Sequence, residues 1–204
     1  MFRTEELKLV TEWDKTFQKS EKVNHKKVSF ANHFGITLAA DMYVPKNAEG
    51  KLPAIAVSGP FGACKEQSSG LYAQTMAERG FLTIAFDPSF TGESGGFPRA
   101  MNSPDINVED FQAAVDFLSV QDNVDPERIG IIGICGWGGM ALQTASIDTR
   151  IKATVTSTMY DMTRIAGNGY FDSADNKEAR KAAREAINAQ RTEDFRNGSF
   201  SRQG

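Results

Sequence analysis

Arg128-Ile129-Gly130-Ile131-Ile132-Gly133-Ile134-Cys135-Gly136-Trp137-Gly138-Gly139-Met140-Ala141 contains, in succession, a buried strand, a glycine turn carrying one cysteine, and the start of a helix. A side chain mounted on such a strand-to-helix turn stands clear of the backbone, and the first N–H groups of the helix stabilise negative charge beside it. A thiolate is favoured at that position, which makes Cys135 a candidate nucleophile. The plainer alternative is a small buried residue filling space, the usual fate of a free cysteine.

Outward from this segment, short apolar runs alternate with longer helical stretches, the signature of βαβ units and a parallel sheet. The predicted strands are Ala54 to Ser58, Leu82 to Phe86, Arg128 to Ile134 and Ile151 to Ser157, and the predicted helices are 68–79, 107–120 and 137–147. Ser68 or Ser69 can open the first helix and Gly80 close it, while Asn107 with Asp110 resembles a capping box. Asp125-Pro126-Glu127 is a turn feeding the next strand.

Upstream, Lys27 to Ala31 and Ile36 to Tyr43 form a hairpin through Asn32-His33-Phe34-Gly35, followed by a polar linker from Pro45 to Leu52. Residues 4–19 place Leu7, Val10, Trp13 and Phe17 at helical spacing, which suggests an amphipathic packing arm over 1–20 ahead of a core over 21–204. Downstream, Asp175 to Arg196 sets five apolar residues, Ala179 to Ile187, along one side of a charged, surface or lid-like helix. The tail from Asn197 to Gly204 carries no strand.

The chain has 204 residues, 40% hydrophobic and 24% charged, enough for one domain with a full core. A net charge of −3 offers no basic face to nucleic acid or an anionic membrane, so a small-molecule substrate is the expected partner. Charges at Arg3, Glu5, Glu6 and Lys8 interrupt any signal-peptide or spanning segment and point to a cytoplasmic protein. Cys64 and Cys135 are too few for a disulfide framework. No metal-ligand set is evident.

Ligands of open α/β sheets bind beyond the carboxyl ends of the strands, and Ser58-Gly59-Pro60-Phe61-Gly62 leaves one such end. Pro60 has no N–H, so the backbone of Phe61 or Gly62 could face a developing oxyanion, joined by Gly136 just after the cysteine. Taken singly, such a loop is more often a glycine turn without catalytic meaning.

Four motifs then fall in order: Gly59-Pro60-Phe61-Gly62; Asp87-Pro88-Ser89-Phe90-Thr91-Gly92-Glu93-Ser94-Gly95-Gly96; Val124-Asp125-Pro126-Glu127-Arg128-Ile129-Gly130; and the cysteine turn. From about Lys26 to Asp161 the chain resembles the α/β-hydrolase superfamily, in its dienelactone-hydrolase-like group. The resemblance implies a three-layer fold with a mostly parallel eight-stranded sheet and a nucleophile–acid–histidine triad in that chain order. It also implies hydrolysis of ester, lactone, thioester or amide bonds, with no cofactor. Phe61 and Gly136 would hold the oxyanion, and Phe61, Trp137, Met159 and Tyr160 would line an apolar pocket. The expected substrate is small and largely apolar.

Two departures stand out. The residues two before and two after the nucleophile are usually both small; Gly133 fits and Trp137 does not, so the turn is wider or Trp137 points into the pocket. The family histidine follows the last strands, whereas His25 and His33 both precede Cys135 and read as surface or hairpin residues. About six of the eight strands are present, so the chain appears truncated at its C-terminus, without the late acid and the general base. Ile151 to Ser157 would then be an exposed edge through which a homodimer could pair.

Asp161, just past that strand, is a candidate acid, with capping of the following turn as the plainer role. Asp87 and Glu93 are expected to brace their loop. A catalytically inactive truncated hydrolase is one alternative. Another is a dinucleotide-binding domain, from the Gly-x-Gly-x-x-Ala match at Gly136 to Ala141.

Overall fold

A computed structural model describes residues 5–201; the first four positions of the expected arm and the last three of the tail lie outside the described residues. The strands are β1 (Val23–Ala31), β2 (Thr37–Pro45), β3 (Leu52–Ser58), β4 (Leu82–Phe86), β5 (Val124–Ile134) and β6 (Ile151–Ser157). Interleaved with them are α1 (Ser68–Ala77), α2 (Pro104–Ser119) and α3 (Trp137–Ile147). The six strands form one sheet in the order β1-β2-β4-β3-β5-β6, in which β2 runs antiparallel to both β1 and β4 and the remaining pairs are parallel. This is the three-layer, mostly parallel arrangement of an α/β hydrolase.

The order follows from burial. Every residue of β4 is buried and β3 is nearly so, as expected for strands covered on both faces. β1 alternates buried and exposed positions and carries Lys26 and Lys27, a charged edge that resists further pairing. β5 contains Pro126, yet the strand survives because its register against β3 shifts between Leu52 and Ala54, so the proline falls in a bulge. Within that bulge Asp125 accepts from the Glu127 N–H (3.1 Å) and from Arg128 (2.7 Å), which is the turn that the sequence announces.

On one face α2 and α3 cover Leu38, Ala56, Ile84 and Ile131 with Phe111, Val115, Leu118, Trp137 and Met140. On the other, α1 contributes Ala73 and Ala77 over Tyr43, Val57, Ala85 and Ile132. Trp13 and Phe17 extend that second cover. The arm does pack, but it is irregular rather than helical. Its backbone donors are satisfied by distant groups instead of its own turns: Val10 N–H to Glu93 Oε1 (2.6 Å), Thr16 N–H to the Glu66 carbonyl (2.9 Å) and Ser20 N–H to Gln74 Oε1 (3.0 Å). Lys15 is inserted with its ammonium 3.0 Å from the buried Asp41 carboxylate.

α2 begins at Pro104, three positions before the expected start, with Asn107 accepting from the Ser103 N–H at 2.8 Å. Asp110 is therefore no cap. It is a fully buried carboxylate that accepts from Asn32, from the Ser89 hydroxyl and N–H, and from Asn107, joining the β1–β2 hairpin to the loop after β4.

Residues 1–160 make one compact unit and 161–204 a second. The second holds α4 (Met162–Asn168), a single turn at Tyr170–Asp172, and α5 (Lys177–Asn197). Asn176 caps α5 by accepting from the Ala179 N–H, and Gly198 closes it in the left-handed conformation. None of the described helices is long and apolar enough to cross a membrane.

Candidate active site

β5 ends at Ile134 and α3 begins at Trp137, leaving Cys135 and Gly136 to turn the chain. Cys135 adopts a φ of +58°, a left-handed conformation that costs a side-chain-bearing residue roughly 1 kcal/mol or more. Its neighbours hold it there. The Cys135 N–H donates to the Ser157 carbonyl at the end of β6 (2.8 Å), and its own carbonyl accepts from Gly138 (3.0 Å) and Tyr160 (3.4 Å).

The turn is tight, because a Cβ on Gly133 would overlap the backbone carbonyl of Trp137. Only backbone atoms of Trp137 meet Gly133, so a large side chain is tolerated there. The indole turns into the core and is 1% exposed, with ring centres 5.9 Å from Phe111 and 6.2 Å from Phe61.

The loop after β3 lies directly against this elbow. A side chain at Gly59, whose φ is +100°, would overlap the Ile134 carbonyl and lie 2.7 Å from the Trp137 Cβ. Among the described residues, neither the Phe61 N–H nor the Gly136 N–H has an internal acceptor. Among the described residues, two backbone donors on adjoining turns are thus left without protein acceptors.

Two of the expected pocket residues reach the elbow. Met159 packs against Gly138 and is 45% exposed; Tyr160 bonds to the Cys135 carbonyl and is 41% exposed. Asp161 accepts from the Thr163 hydroxyl (2.7 Å) and the Arg164 N–H (3.0 Å), which is the capping role. Tyr72, absent from the expected set, bonds Ser157 through its hydroxyl (2.9 Å), and Ser157 in turn holds Cys135. Gly138, the second glycine of the Gly-x-Gly-x-x-Ala match, is filled over by Met159 and leaves no open backbone for a pyrophosphate.

Neither histidine serves the cysteine. His25 lies on β1 and is only 13% exposed, not the surface residue expected: its Nε2 is 2.7 Å from Asp41 Oδ1, and its ring sits between Trp13 and Tyr43. His33, in the hairpin, is 3.2 Å from Glu109. Four strand spacings separate β1 from β5, about 19 Å at roughly 4.8 Å each.

The loop after β3 continues into a charged cluster that the sequence did not announce. The Lys65 ammonium, with no exposed surface, contacts Glu66 (2.5 Å), Glu93 (2.6 Å) and Asp87 (3.0 Å). Burial pushes the Asp87 carboxyl up, against the pull of Lys65. Burial, then the Asp87 and Glu66 carboxylates, push the adjacent Cys64 thiol up. Cys64, Glu66 and Asp87 have the spacing of a metal-ligand set, but Lys65 already supplies the cation between those carboxylates.

Sheet order, elbow and facing glycine loop define an α/β-hydrolase fold. The profile of the X-Pro dipeptidyl-peptidase (S15) family matches residues 35–202, and the chain belongs to that family. An uncharacterized protein of Pseudomonas aeruginosa is 64% identical over 195 residues, covering 95% of this chain and 52% of its own length. The crystal structure of the hypothetical P. aeruginosa protein matches with a TM-score of 0.95 at 62% identity, over 98% of this chain and 62% of that one. Thiohydrolase aneE of Aspergillus aculeatus is 31% identical over 137 residues, 67% of this chain and 42% of its own. The Penicillium α/β hydrolase GrgF matches in fold, with a TM-score of 0.62 at 20% identity, over 83% of this chain and 66% of that one. The chain spans about half the length of the curated relatives it matches.

Proposed function

We propose that this chain carries the nucleophile and oxyanion hole of a hydrolase acting on ester, lactone or thioester bonds of a small, largely apolar substrate. The observation that carries the reading is Cys135, held at positive φ on a strand-to-helix turn against which the Gly59 loop packs, with the N–H groups of Phe61 and Gly136 free of acceptors among the described residues. The thiolate attacks the carbonyl carbon, forming the S–C bond as the C=O electron pair moves onto oxygen, where the two N–H groups receive it. Collapse restores the carbonyl and expels the alkoxide or thiolate, leaving an acyl group on Cys135.

Release of that acyl group requires a base to activate water, and the two histidines of this chain are committed elsewhere. The base for that step is therefore a group other than His25 and His33, and Asp161 stays a candidate acid. This chain alone acylates once and deacylates slowly. The thiohydrolase among its relatives supports including thioesters in that substrate class. Met159, Tyr160 and Tyr72, all partly exposed around the elbow, favour an apolar acyl group.

The test is reaction with p-nitrophenyl acetate and a short acyl thioester, followed by mass spectrometry of the intact chain and its peptides. One acyl group per chain on Cys135, absent from Cys135→Ala, is the expected result. Acylation of Cys64 at an equal rate, or of neither thiol, overturns the reading, because Cys64 is held protonated by burial and its acidic neighbours.

A further inference from the structure

The Phe61 loop has little internal structure to fix it. Between Pro60 and Ala63 the described backbone bond is Ala63 N–H to the Pro60 carbonyl (3.2 Å), and the Phe61 ring rests on Trp137 (6.2 Å), so the aim of the Phe61 N–H depends on how the loop's two ends are anchored. One end is β3 and the Gly59 contact with the elbow. The other is Lys65, four residues beyond Phe61.

We propose that Lys65 is a positioning residue for the oxyanion hole: its buried ammonium, clamped by Asp87 and Glu93, holds the loop so that the Phe61 N–H faces that of Gly136. The proposal rests on the reading of those two N–H groups as oxyanion donors. Lys65 is bound to Asp87 twice, by its N–H to Oδ1 (2.8 Å) and by its ammonium to Oδ2 (3.0 Å). Asp87 leaves the end of β4 and also receives the Glu93 N–H (2.9 Å). Glu93 reaches Lys27 on β1 (2.7 Å). The loop is thereby tied to two other strands of the sheet.

The arrangement is electrostatic as well as steric. Three carboxylates converge on Lys65; Lys27 also pairs with Glu93 and lies near Glu66, but removing the Lys65 charge takes from buried Asp87 the ammonium that pairs with it. Asp87, the fully buried member, would have to take up a proton or move away, and the backbone of residue 65 is attached to it. Cys135 is untouched by this cluster. A loss of Lys65 therefore displaces the oxyanion loop and leaves the nucleophile in place.

Two reactions at Cys135 separate these effects. Acylation by p-nitrophenyl acetate builds negative charge on a carbonyl oxygen, whereas alkylation by iodoacetamide displaces iodide and needs no oxyanion hole. In the full chain, Lys65→Met is expected to slow acylation about tenfold or more while alkylation stays within about twofold, in line with losing an oxyanion donor. Glu93→Gln, which keeps the lysine and weakens one arm of the clamp, is expected to give a smaller loss with the same selectivity, and it reads the effect even where Lys65→Met does not fold. Acylation unchanged in both variants, or both reactions falling together, overturns the positioning role alone. No acylation of the unaltered chain, with alkylation normal, removes the oxyanion reading and this role with it.

Discussion

Gly133 sets how closely α3 can follow β5, since any Cβ there meets the carbonyl of Trp137. Gly133→Ala is expected to destabilise the fold by on the order of 2 kcal/mol, the usual scale of overpacking a tight site. Urea unfolding measures it, and a change within about 0.5 kcal/mol would show that the turn relaxes freely. At this scale the sequence showed the polar and strained residues that lie within motifs. Cys135, Gly136 and the Phe61 loop were legible because strand, turn and helix signals converge on them. Lys65 was not, since its partners Asp87 and Glu93 come from another loop and no local period links them. His25 was misplaced for a related reason: Asp41 pairs with it across two strands, and Trp13 covers it from the arm.

Elements with continuous apolar runs were read almost to the residue, and β4, β6 and α3 begin and end where their sequences suggest. α2 starts ahead of the position its sequence suggests because Asn107 and Asp110 imitate a cap, while the start after Ser103 uses the Asn107 side chain in the opposite sense. The arm's helical spacing was real but did not yield a helix, since tertiary acceptors at Glu66, Gln74 and Glu93 took its donors. In the second unit, the turn after α4 is fastened by Arg164, which bonds Asp172 at 2.8 Å through Nε and 2.5 Å through Nη2. Arg164, and then Asn168, hold the Asp172 carboxyl down at about 2, below its ordinary 3.8. A lowered carboxyl stabilises the folded form above its ordinary value and loses that effect as pH falls through the lowered one. The link between α4 and this turn should therefore persist to about pH 4 and be lost toward pH 2. An NMR titration of the Asp172 carboxyl with a midpoint near 3.8 would contradict it.

For the molecule as a whole, the two edges of the sheet differ in kind. β1 carries Lys26 and Lys27, whereas β6 has the single Lys152, pairs among the described residues with β5 alone and leaves Val155 52% exposed. Beside it a hollow of about 350 Å³ opens between α1 and the sheet, lined by Met76, Phe81, Ile132 and Ala153. Such an edge invites strand pairing, so the chain is expected to form dimers at micromolar concentration, and Val155→Lys to leave it monomeric. Light scattering on a sizing column decides this; equal masses for both chains would exclude the edge as the contact. Along β6 the apolar Ile151, Ala153 and Val155 alternate with Lys152, Thr154 and Thr156, and no residue of the strand is buried.

The arm bears on how the molecule comes into being. Residues 5–22 are held by groups as far along the chain as Glu93, so this segment has nowhere to settle until the loop after β4 has been made. Until then Asp41 and Tyr43, both fully buried in the finished protein, stay uncovered on the sheet. The arm is thus among the last stretches to dock although it precedes the strands in the chain, and it closes the face that they have already built.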